Sequence, residues 1–334
     1  MATCADSRVV EALLELGFGE PRHVHERASI ADLFRPGQRC GIYVLHCCDD
    51  EYYAGQAVDI VRRYTQHRLT HEDIVWVSFM PVPRERLDSE ERRVIWALES
   101  AGVRLRNISL VSVPVGETDF DLIMPVDEQK EWISGSAVDR DSGGRFDDAD
   151  LRRRYQRKFA RLAAMNEYEQ ILPVLQSYVK QVVPRARAGE VSFWCCSCLP
   201  PSGHAGVTLF FRINIYLQEV LTGGRDSEGL FFSFHVASSP LDETYGDHSE
   251  QLFEQHQGLC ADDHFYPSGG SDQLRLEVGS VGDALALLDD PVIRHAIKVF
   301  NLRLMRKGPC LNKANHCLAL ADAIIAGTRT TTGP

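Results

Sequence analysis

Cys40 to Cys47 is a continuous strand-forming run, and Tyr52-Tyr53-Ala54 follows it after the polar stretch Cys48-Asp49-Asp50-Glu51. Two such runs joined by so short a connection pair as an antiparallel hairpin. Asp59 then stands where a helix needs its N-cap, ahead of Ile60, Arg63, Tyr64 and His67. A hairpin running straight into a capped helix puts Tyr43, Tyr53, Arg63 and His67 on one surface. Further strand signals lie in Ile74 to Met80, closed by Pro81 and Pro83, and in Asn107 to Val113. Leu87 to Ala101 has a helical period, with Val94, Ile95 and Leu98 on one face. Residues 8–17 form a short amphipathic helix, and Ala28 to Phe34 a helical turn.

Ser134 to Asp150 is rich in Ser, Gly and Asp and poor in apolar residues, which reads as a linker. Beyond it the pattern changes. Leu151 to Val183 is helical and basic, interrupted at Pro173. Residues 207–215, 232–236 and 274–278 alternate as antiparallel strands with one buried face. Helices follow from Asp283, broken near Asp290-Pro291. With 334 residues the chain suits two domains. These are 1–133 and an α+β domain over 151–330, with 134–150 between them.

No run of about eighteen apolar residues and no export signal is visible, so a cytoplasmic protein is expected. The ten cysteines, including the adjacent pairs Cys47-Cys48 and Cys195-Cys196, form no regular framework and are expected to be reduced. The net charge of −11 argues against a general nucleic-acid coat. Cations are nevertheless concentrated locally. Residues 152–187 hold nine Lys or Arg against two acids, and 294–313 hold six with none. Arg152, Arg153, Arg154, Arg157 and Lys158 interleave with aromatic residues, which suits contacts to a DNA backbone, as does Arg62 on the helix after the hairpin.

Hydrolysing a phosphodiester needs an activated water, relief of charge in the transition state and help for the leaving oxygen. Arg63 offers a two-pronged grip on phosphate. His67, four residues on, shares its helix face. Glu91 can hold one hard cation that keeps most of its waters. Glu91 falls at the edge of its helix's buried face, and Glu90 points about 100° away.

These residues resemble the GIY-YIG nuclease family. Gly41-Ile42-Tyr43 matches its first motif and Tyr53-Ala54-Gly55 its second, with Ala for Ile and Gln56 following. Residues 58–67 resemble the family's helix carrying an arginine and a histidine, and residues 87–95 the later helix presenting a metal-binding glutamate. Leu105-Arg106-Asn107 resembles its closing asparagine. The likeness covers about residues 38–115. It implies an α+β fold with a small mixed sheet flanked by helices, followed here by a separate α+β domain with an antiparallel sheet. It also implies a DNA endonuclease in which Tyr43 is the general base, Tyr53 lines the site, Arg63 and His67 serve the phosphate, and Glu91 binds Mg²⁺ or Mn²⁺. Duplex DNA is the expected partner, and cutting both strands would call for a homodimer. Two other readings stay open: an inactive nucleic-acid-binding or regulatory protein on this fold, and a nuclease for RNA. Cys195-Cys196-Ser197-Cys198 with His204 reads better as a buried strand than as a zinc site, which wants separated ligand pairs.

Overall fold

A computed structural model describes residues 6–136, 144–246, 250–262, 264 and 266–326. The chain divides into two units, 1–116 and 117–334. The division precedes the low-complexity stretch because Phe120, Met124 and Trp132 already pack into the second unit's core. The suggested linker is also partly structured. Residues 137–143 lie outside those described. Arg145 makes a two-pronged bond to buried Glu190 and reaches Asp322, and Asp148 caps the next helix.

In the first unit the elements run α1 (Ser7–Glu15), β1 (Arg22–His23), β2 (Gly41–Cys47), β3 (Glu51–Ala57), α2 (Ile60–His67), β4 (Ile74–Pro81), α3 (Leu87–Ser100) and β5 (Arg104–Leu105). The sheet order is β1-β4-β2-β3-β5, with every pairing antiparallel except the parallel β3–β5 pair. β2 is buried along its whole length, which explains its apolar run Ile42 to Leu45: both faces are covered. Strand alternation sends Ile42 and Val44 to the core shared with Val94, Ile95 and Leu98 of α3. It sends Tyr43 and Leu45 to a second core with Ile60 and Tyr64 of α2. The hairpin turn puts Asp49 and Asp50 at positive φ, a conformation that aspartate tolerates better than most residues. The expected strand over 107–113 is absent; pairing is confined to Arg104 and Leu105.

The second unit contains α4 (Val126–Ser134), α5 (Ala149–Ala163), α6 (Tyr168–Val182), β6 (Trp194–Cys198), β7 (Thr208–Ile215), β8 (Gln218–Arg225), β9 (Leu230–Val236), α7 (Ser239–Tyr245), α8 (Glu250–Gln255), β10 (Cys260–Asp262), β11 (Leu274–Val278), α9 (Val281–Asp289), α10 (Pro291–Arg306) and α11 (Leu318–Ala326). Its antiparallel sheet has the order β10-β11-β9-β8-β7-β6. One face carries Phe211, Ile213, Phe232, Phe234 and Leu276 into a core built with α6, α9, α10 and α11. The helical break falls between Ala163 and Tyr168, and Pro173 lies inside α6 near its start. Cys195, Cys196 and Cys198 are buried in β6, with Cys195 facing Cys310 across 3.4 Å. His204 lies in an exposed loop. Among the described residues no helix is long and apolar enough to cross a membrane.

Candidate active site

Asp59 accepts from the backbone N–H groups of Val61 and Arg62, which fixes the start of α2. With Ile60 and Tyr64 buried, the helix presents Arg63 to solvent and leaves His67 half-buried over β2 and β3. Asp59 is paired with Arg39, so it does not claim Arg63. The Arg63 Nε donates to the Tyr43 hydroxyl at 3.3 Å, and that hydroxyl lies 2.6 Å from His67 Nε2. A guanidinium can only donate. The Tyr43 oxygen therefore accepts from Arg63, and its hydroxyl shares a second hydrogen bond with His67 whose direction follows the imidazole tautomer.

The Tyr43 and Tyr53 rings stack at 6.3 Å and 24°. Tyr53 also packs 4.6 Å from the His67 ring. His71, a competitor for His67 by spacing, flanks Tyr53 and His67 but makes no bond to Tyr43. Gly55 faces Tyr43 across the hairpin. A Cβ there would sit 2.5 Å from the Tyr43 hydroxyl oxygen, so only glycine leaves room for it.

Glu91 reaches this group along the sheet edge. Leu105 and the Arg106 N–H cover the edge of β3 at Tyr52, and the Asn107 carboxamide takes both the N–H and the C=O of Ala54. Two residues on, the Gln56 backbone and its side-chain nitrogen both donate to Glu91. The carboxylate is thus held at the rim of the sheet rather than in either core, close enough for its charge to act on Tyr43, Tyr53 and Arg63. It is not a helix cap: the N-cap of α3 is Arg86. Glu90 points elsewhere and pairs with Arg86 and Arg93.

The electrostatics follow from burial. Tyr43 is fully buried, and desolvation raises its hydroxyl far above the ordinary phenol range, the Arg63 hydrogen bond opposing this only in part. In the free protein the Tyr43 hydroxyl is therefore enclosed, and the groups open to solvent are Arg63 and parts of Tyr53, His67 and Glu91. Burial, with the Arg63 and His71 charges, depresses His67 to about 4. At neutral pH it is uncharged. Burial raises the Glu91 carboxyl, as does nearby Asp88, while the Gln56 hydrogen bonds and Arg63 pull it down.

His46, buried beside Ser78, is likewise depressed to about 4. Both imidazoles stay neutral in the folded chain while the unfolded chain takes up protons below the ordinary value of 6.5. Stability from these two groups is complete above pH 6.5 and lost as the pH falls toward 4. Melting temperature is expected to fall across this window, and His46→Gln should flatten the fall. A wild-type midpoint unchanged over the window would contradict this electrostatic description.

A resident divalent cation is implied by the family likeness, and the donors fit one. Gln56 Nε2 donates to Asp88 at 2.6 Å and to Glu91 at 3.0 Å, so two mutually repelling carboxylates lie within one amide's reach. Oxygen donors of this kind suit Mg²⁺, which needs only one or two carboxylates. Among the described residues no group of three or more His, Cys, Asp or Glu forms, including around His67, His71 and Glu72.

The basic residues of α5 divide. Arg152 is tied to Asp147 and Asp322, and Arg153 to Asp150, so these two are already neutralised within the fold. Arg154 and Arg157 are exposed, as is Arg62 on α2, and none of the three has an ion-pair partner among the described residues. Lys158 donates to the Leu199 carbonyl. Asp88, the Gln56 bridge and the bond of His67 to Tyr43 carried no readable signal in the sequence, because each depends on a neighbour at least 24 residues away. Comparison of the chain with protein-family models, with curated proteins and with solved structures finds no match in any of the three.

Proposed function

We propose that the first unit is a metal-dependent endonuclease that hydrolyses DNA phosphodiester bonds. The observation that carries this reading is the bonded set Arg63–Tyr43–His67, with Glu91 held alongside on the sheet edge. Arg63 is exposed and forked, suited to grip two phosphate oxygens and offset the charge that grows on them. Tyr43 accepts the proton of the attacking water as its own proton passes to His67, whose neutral Nε2 already faces it at 2.6 Å. This hand-off resolves the difficulty that a buried phenol is reluctant to ionise: the hydroxyl gives up one proton as it gains another. It requires the substrate phosphate to bring water to the enclosed hydroxyl. Tyr53 walls the site and orients His67. Glu91 and Asp88 would hold the cation, which, when bound, supplies positive charge to the scissile phosphate and makes water more acidic.

The test is nicking of supercoiled plasmid by the full chain, with single-stranded DNA and RNA as parallel substrates. Cleavage of plasmid with Mg²⁺ or Mn²⁺, abolished by chelator, is the expected result. Plasmid left intact under both metals, with folded protein, would remove the proposal. RNA cut in preference to DNA would keep the chemistry and change the substrate.

A further inference from the structure

The polar face of the second unit's sheet carries a cavity of about 370 Å³, bounded by β6, β7, β8 and α5. This is within the size range of small-molecule sites. Its wall contains a built polar contact. Gln218 is 1% exposed, and its Oε1 accepts from Ser268 Oγ at 2.9 Å. Gln218 lines the cavity, and its buried Nε2 meets no protein acceptor. A buried amide donor left unpaired is a cost to the fold that a ligand acceptor reaching it would lift. Asn214 beside it is 7% exposed and makes no side-chain hydrogen bond among the described residues.

The remaining walls are mixed, and the one carboxylate among them, Glu219, is paired with Arg212 at 2.9 Å. Tyr155 and Lys158, one turn apart on α5, line one side, and Tyr266 another. The Tyr155 hydroxyl donates to the Ala314 carbonyl at 2.8 Å, which holds its ring in place. Lys158 faces no carboxylate partner among the described residues, and exposed Arg154 and Arg157 lie on the same helix. Carboxamides pair with the alternating donors and acceptors on the edge of a nucleobase. Phenol rings suit its flat face, and a cation at the rim suits its phosphate.

We propose that this cavity binds a single unstacked nucleotide, its base edge read by Gln218 and Asn214, its ring set against the tyrosines and its phosphate held by Lys158. The same chemistry is offered by a free nucleotide and by one swung out of a DNA strand. The site stands on the second unit's own side chains; only the DNA source draws on the endonuclease reading.

The experiment is binding by the full chain in chelator, where no metal-dependent cleavage can interfere. One arm titrates the four deoxynucleoside 5′-monophosphates. The other compares fluorescence anisotropy of a duplex with one unpaired nucleotide against its fully paired counterpart. Lys158→Ala, Tyr155→Ala and Gln218→Leu are expected to weaken binding about tenfold or more in whichever arm is positive. Lys158 and Tyr155 are partly exposed, so they keep the test decisive if the Gln218 variant fails to fold. A positive monophosphate arm identifies a free nucleotide, and a preference for the unpaired duplex identifies an extruded one. No binding in either arm, or binding that survives Lys158→Ala and Tyr155→Ala, overturns the proposal. Because Arg63 and Glu91 take no part, failure here and failure of plasmid nicking are separate results.

Discussion

Arg63→Ala is expected to slow plasmid nicking by about 10²–10³-fold, the usual cost of removing a positioned charge donor from a transition state. The side chain is exposed and bonds Tyr43, Tyr53 and Gln66 at the surface of the fold, so melting temperature should hardly move; substitutions of this kind stay within about 0.5 kcal/mol. Arg63→Lys should recover part of the rate, because the charge remains and the fork is lost. The variant also bears on the proton path. Without its Nε donor, the Tyr43 oxygen loses the one bond that favours its ionised form. Initial rates at several pH values, with thermal unfolding alongside, measure both effects. If Arg63→Ala cuts at the wild-type rate, the guanidinium is not the phosphate clamp and the catalytic assignment fails.

Gly55→Ala is expected to damage rate and stability together. The new methyl carbon would lie 2.5 Å from the Tyr43 hydroxyl oxygen, 2.7 Å from its ring carbon Cζ and 3.1 Å from the Tyr53 ring. Tyr43 has no exposed volume to move into, so either the ring or the hairpin must shift. Overpacking of this sort costs about 1–3 kcal/mol. A displacement near an ångström breaks the 2.6 Å contact to His67 and should lower the nicking rate about a hundredfold. Tyr43→Phe is the companion variant, since it deletes the hydroxyl and keeps the ring. It should lose rate with a smaller change in melting temperature. A Gly55→Ala protein with wild-type rate would show that the Tyr43–His67 contact is dispensable.

How much was legible depended on the range of the interaction. The hairpin, the capped helix α2 and the amphipathic helix α3 lie where strand propensity, an aspartate cap and helical periodicity put them, because each signal is contained within about ten residues. The preference for Glu91 over Glu90 rested on helical phase alone, and in the structure Glu90 lies on the buried face of α3, paired with Arg86 and Arg93, while Glu91 is half-buried. β8 left no such trace. Its Gly223 and Gly224 look like a turn, yet they lie within the strand because Phe211 and Phe231 occupy the space that side chains would need. The short β5 replaced the expected strand at 107–113 because Asn107 uses its side chain, not its backbone, to pair with Ala54. Arg152 read as a free cation, and Asp322, 170 residues away, neutralises it.

Local order by itself thus determined where the phenols, the guanidinium, the imidazole and the carboxylate stand along strands and helices. Tertiary packing alone decided how they are wired: Tyr43 enclosed between Arg63 and His67, and Glu91 held at the β3 edge by Gln56 beside Asp88. The reason is physical. Propensity and periodicity act between neighbours in the chain, whereas desolvation, charge and hydrogen-bond partnership are set by groups that only the folded sheet brings together.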